Sequence, residues 1–367
     1  AAEAGPAAAE AERPAEAVSA GPGAAAPEAP ASVAVLSADG GASLATTSLA
    51  TGYGSMEPGC VAAAPRPEVL RLDSCASLSA LTAAAATGED TFVISTDQVG
   101  TSARQGIGKG SFGEVFRGRW RGRDVAVREV RSDEDAAPKM AAALLSEVET
   151  LRRCQHHFLV QVLGFSPAPV LTIVTELCAC SLHDRLHRHD SRPAVLEKLW
   201  LLGDASLGVA YLHMQDVVHG SLKPANILLV EEGLDYNCDR IYTAKVADFG
   251  LAKLRAAMAA PEGAAHGTVR YMAPELTAHA PEFSFASDAF AFGVVMWETS
   301  AAREPYEAQQ DPEALLASVR GGGREDLAEA DPELRDLIRS CWDQEPLRRP
   351  TFEHIVRCMP GGPSACG

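Results

Sequence analysis

The stretch that decides the fold reads Val217-Val218-His219-Gly220-Ser221-Leu222-Lys223-Pro224-Ala225-Asn226-Ile227-Leu228-Leu229. Residues 217–226, which we call the polar loop, carry one imidazole, one amine and one amide among small residues. The apolar run that follows has the composition of a buried strand. A polar loop held against a buried strand is the kind of segment that carries functional side chains.

Upstream of the polar loop, the glycine-rich segment Gly106–Phe116 joins two strand-like stretches. Three of its glycines and a valine form a recurrent pattern: Gly108, Gly110, Gly113 and Val115. A Rossmann turn or a plain glycine hairpin has the same letters, but a Rossmann turn opens a helix. Here the next element is the strand-like stretch Asp124–Val130. Glycines suit such a loop because backbone amides can approach phosphate oxygens with no Cβ in the way.

In this order, the two segments resemble those of the eukaryotic protein kinase superfamily. The polar loop is similar to the catalytic loop His-Arg-Asp-Leu-Lys-x-x-Asn, and the Asp-Phe-Gly triplet 248–250 is intact. Near the C-terminus, Cys341-Trp342 and Arg349-Pro350-Thr351-Phe352 match the closing motifs. The resemblance covers about Thr91–Met359 and is strongest to the tyrosine-kinase-like group.

The resemblance implies an α+β, bilobal protein-kinase fold with a small β-rich N-lobe and a larger, mainly helical C-lobe. We expect the N-lobe and hinge over residues 91–178 and the C-lobe over 179–359. Residues 1–90 are rich in Ala, Pro and Gly and are acidic, and we predict a disordered tail and linker there. A short disordered tail is predicted over 360–367.

Two functional positions depart from the family pattern. Ser221 stands where the catalytic loop has its Asp, and a serine cannot act as a base at neutral pH. Arg128 stands where the strand Val-Ala-Ile-Lys has its lysine, and the planar guanidinium prefers a carboxylate partner. We expect a bidentate pair between Arg128 and Glu147, which lies on a predicted helix over Met140–Cys154.

The resemblance assigns the other site residues by position. The residues expected to bind ATP are Gly108, Gly110, Gly113, Val115, Ala126, Arg128, Glu147, Thr175, Glu176, Cys178 and Leu228. The catalytic positions are His219, Ser221 and Lys223, and the magnesium ligands are Asn226 and Asp248. In the hinge, Glu176–Cys178, backbone groups bind the adenine whatever the side chains are. ATP and Mg²⁺ are therefore the implied cofactors.

The activation segment is expected over Asp248–Glu275. Between Leu251 and Gly267 it has no Ser, Thr or Tyr, and Gly220 replaces the catalytic-loop arginine that pairs with a phosphorylated residue there. The phosphate acceptor and its cationic partner are thus both missing. The family also implies a buried ion pair between Glu275 and Arg349.

Composition excludes several other classes of function. The formal net charge is −17, which argues against nucleic acid and anionic membranes as partners, because both reward clustered Lys and Arg. We find no run of about 18 apolar residues and no signal peptide, so we expect no membrane insertion and a cytoplasmic protein. The nine cysteines are scattered, and we expect reduced thiols.

Three functions are compatible with the sequence. The first is a pseudokinase that binds ATP and Mg²⁺ and acts as a regulatory or scaffolding signalling module for a protein partner. The second is a weakly active serine/threonine kinase with a protein substrate. The third is an interaction module that binds no nucleotide.

Overall fold

The computed structural model describes residues 92–94, 98–100, 106–110, 113–130, 147, 150–166, 172–189, 192–234, 240–250, 269–277 and 282–360. The predicted tail 1–90 and most of the predicted activation segment, 251–268, lie outside these residues, as does all of the predicted C-terminal tail except Pro360. All described residues belong to the second of two units into which the chain divides, Cys60–Gly367.

The N-terminal half is an antiparallel sheet of five strands in the order β1-β2-β3-β5-β4. These strands are β1 (Gly106–Gly110), β2 (Gly113–Trp120), β3 (Arg123–Val130), β4 (Val162–Ser166) and β5 (Thr172–Glu176). The glycine-rich segment Gly106–Phe116 was predicted to join two strands, whereas it forms β1 and the first half of β2 itself. The strand predicted over Asp124–Val130 is present as β3. Arg121 and Gly122 turn β2 into β3 with φ values of 48° and 78°, which suit a two-residue hairpin.

Alternation along the strands builds a small core on one face of this sheet. On β3, Val125 and Val127 are buried, and on β2 Trp120 is also buried while Arg119 beside it is exposed. A strand sends successive side chains to opposite faces, so this period of two places the apolar residues together. Val174 of β5 completes the cluster.

A second sheet follows the first and carries the apolar run of the opening stretch. Its strands pair in the order β6-β7-β8, with β6 at Cys180–Ser181, β7 at Ile227–Leu234 and β8 at Arg240–Val246. The polar stretch 231–240 follows the apolar part of β7 in the sequence. Its described part is strand, because backbone pairing such as Glu231 with Tyr242 continues beyond the core.

Six α-helices are described in the C-terminal half. They are α1 (Leu182–His187), α2 (Val195–Met214), α3 (Phe285–Ala301), α4 (Pro312–Arg320), α5 (Arg335–Cys341) and α6 (Phe352–Cys358). Ser181 caps α1, since its Oγ accepts from Asp184 N at 3.1 Å. Helix α3 is central, and its Phe290 and Trp297 are completely buried. The α+β, two-lobed architecture is confirmed.

The predicted ion pair between Glu275 and Arg349 is present and is bidentate. Arg349 Nη1 and Nη2 donate to the two carboxylate oxygens at 2.7 and 2.8 Å. Arg349 Nε and Nη1 also donate to the carbonyls of Asp343 and Ala286. The Arg349 side chain is fully buried, and these partners satisfy its guanidinium away from water. Arg349 thus links Glu275, at the end of the predicted activation segment, to α3.

Replacing Arg349 with Ala is expected to lower the free energy of unfolding by about 3 kcal/mol, because it leaves a partly buried carboxylate without its cation. Urea unfolding monitored by fluorescence measures this change. The matched control is Arg357→Ala, whose exposed pair with Glu353 spans 3.7 Å and should change the free energy by less than about 0.5 kcal/mol. Equal losses in the two variants would contradict the structural role of the buried pair.

Candidate active site

A cleft of about 730 Å³ is lined by residues from both halves of the fold. One end is lined by Val115 and Ala126 of the first sheet and Leu228 of the second. The other end is lined by residues 269–271, which belong to the C-terminal part of the predicted activation segment. The structure therefore brings the predicted adenine-contacting residues together at one end of an elongated cavity.

The hinge connects the two sheets along the edge of this cleft. Thr175, Glu176 and Cys178 all line it, as predicted. The Glu176 carboxylate accepts two bonds of 2.9 Å from Lys245 Nζ and one of 2.7 Å from Gln161 N. This side chain is therefore engaged in holding the hinge to the strands beside it, which fits the expectation that hinge side chains do not themselves select the ligand.

Cys178 is a hinge residue whose thiol is chemically quiet. Burial, and secondarily the negative charge of Glu176, raises the pKa of the Cys178 thiol to about 12. The thiol therefore stays protonated at neutral pH, and it is neither a nucleophile nor a soft metal ligand there.

The backbone of the polar loop is hydrogen-bonded to a buried carboxylate on α3. Asp288 is 1% exposed, and its Oδ2 and Oδ1 accept from the backbone N–H groups of His219 and Gly220, each at 2.8 Å. His213 Nε2 donates to the same carboxylate at 3.0 Å. Sequence reasoning gave Asp288 no role. The available signal was an acidic residue at the start of an apolar helical run, where an uncompensated charge is costly.

His219 fixes the shape of the loop from inside. It is completely buried, its Nδ1 accepts from Ser221 N at 3.2 Å, and its Nε2 donates to the Ala247 carbonyl at 2.8 Å. These two bonds use both ring nitrogens and define the neutral tautomer with the proton on Nε2. The geometry supports a positioning role for His219, because neither nitrogen is left for proton transfer.

Ser221 and Asn226 are held against each other across the loop. Asn226 Nδ2 donates to the Ser221 carbonyl at 2.8 Å and lies 3.4 Å from Ser221 Oγ. Among the described residues no hydrogen bond uses Asn226 Oδ1, so this oxygen remains available to a cation. Lys223 lines the cleft on the same loop.

Arg128 contacts Asp248, a partner that the sequence analysis did not predict. Arg128 Nη1 donates to Asp248 Oδ1, and the two side chains are 18% and 8% exposed. Glu147 is buried and has helical backbone. Its predicted pair with Arg128 stays a prediction. The Arg128 guanidinium thus lies on one of the two predicted magnesium ligands.

The backbone of the Asp-Phe-Gly triplet is unusual. Asp248 has φ of 61°, a left-handed conformation that residues other than glycine adopt at a cost, and Phe249 is buried at 2% exposure. Burial of the phenyl ring and the Arg128 contact together hold this turn. Strained backbone of this kind is typical of functional sites.

At the far end of the cleft, Tyr271 donates its hydroxyl proton to Glu298 Oε2 at 2.6 Å. Burial, and then the adjacent Glu298 carboxylate, raises the pKa of the Tyr271 phenol well above its usual value. The phenol is therefore a permanent hydrogen-bond donor that fixes the end of the activation segment to α3.

A glycine-rich hairpin over a cleft, a hinge, and amide and carboxylate oxygens on adjacent loops define a protein-kinase type of domain. Residues 101–359 match the family described as "Protein tyrosine and serine/threonine kinase". The chain belongs to this family. None of the described helices has the length and apolarity needed to cross a membrane.

Several curated proteins are similar to this chain over the same region. It is 33% identical over 253 residues to Serine/threonine-protein kinase STY17 and 34% over 261 residues to Serine/threonine-protein kinase CTR1, both of Arabidopsis thaliana. It is 34% identical over 260 residues to Serine/threonine-protein kinase A-Raf of Sus scrofa. These matches cover 68%, 69% and 68% of this chain but only 42%, 30% and 41% of the relatives. The relatives are tyrosine-kinase-like kinases, as the resemblance implied.

Gly220→Ala is expected to lower the free energy of unfolding by about 1–2 kcal/mol. Gly220 has φ of +69°, and an added Cβ would lie 3.3 Å from the Phe283 ring. The control is Gly203→Ala inside α2, where a Cβ meets nothing within 4 Å and the free energy should rise by about 0.5–1 kcal/mol. Urea unfolding of both variants measures the difference in sign, and a stabilising Gly220→Ala would contradict the strain at this position.

Proposed function

We propose that this domain is a nucleotide-binding pseudokinase. It binds ATP in the cleft, lacks the base that phosphoryl transfer requires, and acts as a regulatory or scaffolding module on a protein partner. The single observation that carries this proposal is Ser221 at the position of the base. Its hydroxyl lies next to the Asn226 amide, and the loop 217–229 contains no Asp or Glu to replace it. Loss of a positioned base costs about 10²–10⁴ in rate.

The retained cleft supports the nucleotide-binding part of the proposal. Val115, Ala126 and Leu228 supply apolar walls at one end, and the glycine-rich hairpin stands where backbone amides can meet phosphates. Asn226 and Asp248 are the residues that would hold Mg²⁺, which would neutralise phosphate charge. A site that served only as a docking shell has no need of this combination.

The contact between Arg128 and Asp248 supports an unusual response to Mg²⁺. A carboxylate already paired with a guanidinium offers a divalent cation little, because the ion must displace a charge-assisted hydrogen bond before it binds. Arg128 also stands at the position where the family has the lysine that binds the phosphates of ATP. We propose that the nucleotide binds with little dependence on Mg²⁺ while Arg128 occupies Asp248.

A second candidate function is a slow serine/threonine kinase. The observation that favours it is that Asn226 and Asp248 are retained at their family positions and that Lys223 lines the cleft. Phosphoryl transfer depends mainly on positioning and electrostatics, so these groups can sustain turnover without a strong base. The protein partner or substrate and the cytoplasmic location both stay predictions.

ATP is expected to raise the melting temperature of the full chain, with only a small further rise on adding Mg²⁺. Arg128→Met removes the cation from Asp248 at similar length, so the increment due to Mg²⁺ should grow. Asp248→Asn should abolish the increment in both backgrounds, since the amide is a poorer ligand. Thermal-shift titrations measure these changes, because a ligand at 100 times its dissociation constant stabilises by about 2.7 kcal/mol. No shift at millimolar ATP would exclude both nucleotide-dependent functions and leave the interaction module that binds no nucleotide.

Restoring the two family residues is expected to raise phosphotransfer. The double variant Ser221→Asp with Arg128→Lys should transfer phosphate to a generic protein substrate about 10²–10⁴ times faster than the natural sequence, since it regains the base. Radiolabelled ATP measures the rate. The matched control carries Ser221→Asn with Arg128→Lys, which has the shape of the Asp variant without its basicity. Equal rates in the two double variants would show that the missing base is not what limits the domain.

A further inference from the structure

A cluster of metal-ligating side chains lies at the far end of the cleft, away from the predicted nucleotide site. It consists of His183 and His187 on α1 and Glu298 on α3, and we call it the His-His-Glu cluster. One donor atom from each of the three residues lies within 4.8 Å of those of the other two. The two histidines are four residues apart, so one helical turn brings their rings together, with centroids 4.8 Å apart and ring planes tilted by 52°.

The buried member of this cluster is an anion without a permanent cation. Glu298 is 0% exposed, and its carboxylate accepts from His187 Nε2 at 2.9 Å and from the Tyr271 hydroxyl at 2.6 Å. Among the described residues no Lys or Arg forms an ion pair with it. The carboxylate of Glu275 shows the contrast, because it receives both arms of Arg349. A buried carboxylate that lacks a full positive charge is costly.

We propose that the His-His-Glu cluster binds a zinc ion. Two imidazoles and a carboxylate are a donor set that Zn²⁺ favours, whereas Mg²⁺ favours oxygen ligands alone. Bonds of about 2.0–2.2 Å at tetrahedral angles separate ligand atoms by about 3.3 Å. The His187 and Glu298 atoms are already close to that separation. His183, whose side chain is 26% exposed, has the freedom to close the remaining distance by a rotation of its ring.

The surroundings of the cluster suit a metal site that is open on one side. His183 and Tyr271 line the cleft, so solvent reaches the fourth coordination position and supplies a water there. The Tyr271 hydroxyl binds the second oxygen of Glu298 and orients the carboxylate, which is the role that outer partners of metal ligands play. Zinc would replace the proton on His187 Nε2, and the ring, which binds metal as a neutral imidazole, would then carry its single proton on Nδ1, with solvent carrying the proton between the two nitrogens.

A zinc ion here ties together three parts of the chain that are distant in sequence. It joins α1, which follows the hinge, to the central helix α3, and it strengthens the attachment of the end of the activation segment through Tyr271. The His183 ring lies 3.6 Å from Glu304, which in turn pairs with Arg270 at 3.1 Å. Zinc binding therefore rigidifies the far wall of the cleft, where a protein partner has access.

The test uses Zn²⁺ alone as the probe, added to the full chain with a phosphine reductant and a chromophoric chelator in competition. His183→Gln and His187→Gln should each weaken zinc binding about 100-fold. The glutamine amide keeps a donor to Glu298 in the second variant. The control is His354→Gln, because His354 Nε2 lies 3.3 Å from Cys358 Sγ and these two side chains could also bind zinc. The His354→Gln control should leave the affinity unchanged, and excess Mg²⁺ should not compete.

Substitution of Co²⁺ separates the two possible sites by their spectra. The His-His-Glu cluster predicts visible d–d bands without thiolate charge-transfer absorption in the near ultraviolet. Thiolate absorption, loss of binding only in His354→Gln, or equal affinity in all variants would each overturn the proposal. His183→Gln should melt at the same temperature as the natural sequence in the presence of EDTA, so a loss of affinity in this variant reports on the site. The proposal can therefore be judged on this variant even if His187→Gln does not fold.

Discussion

The carboxylate of Asp288 is the constraint on which the arrangement of the site depends. It is buried at the start of the central helix and is satisfied by two backbone N–H groups of the polar loop and by one imidazole. Because an unsatisfied buried anion would be far more costly than these bonds are favourable, the loop has one position relative to α3. His219 then sets its internal shape, and Ser221 and Asn226 take their places from it.

The electrostatics of the cleft centre on a second carboxylate, Asp248. It lies on a strained turn and contacts Arg128, so the position that should hold a divalent cation already has a monovalent one. Lysine at position 128 would make a point contact, whereas the guanidinium gives a directional hydrogen bond that is harder to displace. This difference connects the two departures from the family pattern. In the pseudokinase function proposed above no base is used, and an arginine that pairs with Asp248 is compatible with weak metal binding there.

Much of the fold followed from local patterns. The glycine-rich hairpin, the Ser181 cap and the long helix α2 depend on neighbours within a few residues. The pair of Glu275 and Arg349 joins distant segments. It was predicted only because members of the resembling family have an ion pair at these two positions. The role of Asp288 was missed, although an acidic residue in an apolar helix was a visible signal. The contact between Arg128 and Asp248 carried no such signal, since 120 residues separate the two.

By itself the sequence determined the family, the α+β architecture and the serine at position 221, because each of these follows from residue type and spacing. Only the tertiary structure decided which charges meet. In the folded chain Arg128 pairs with Asp248, and two histidines of α1 lie beside a glutamate of α3. The physical reason is that pairing of buried charges depends on distance and desolvation, and chain folding sets both quantities between residues that no local pattern connects.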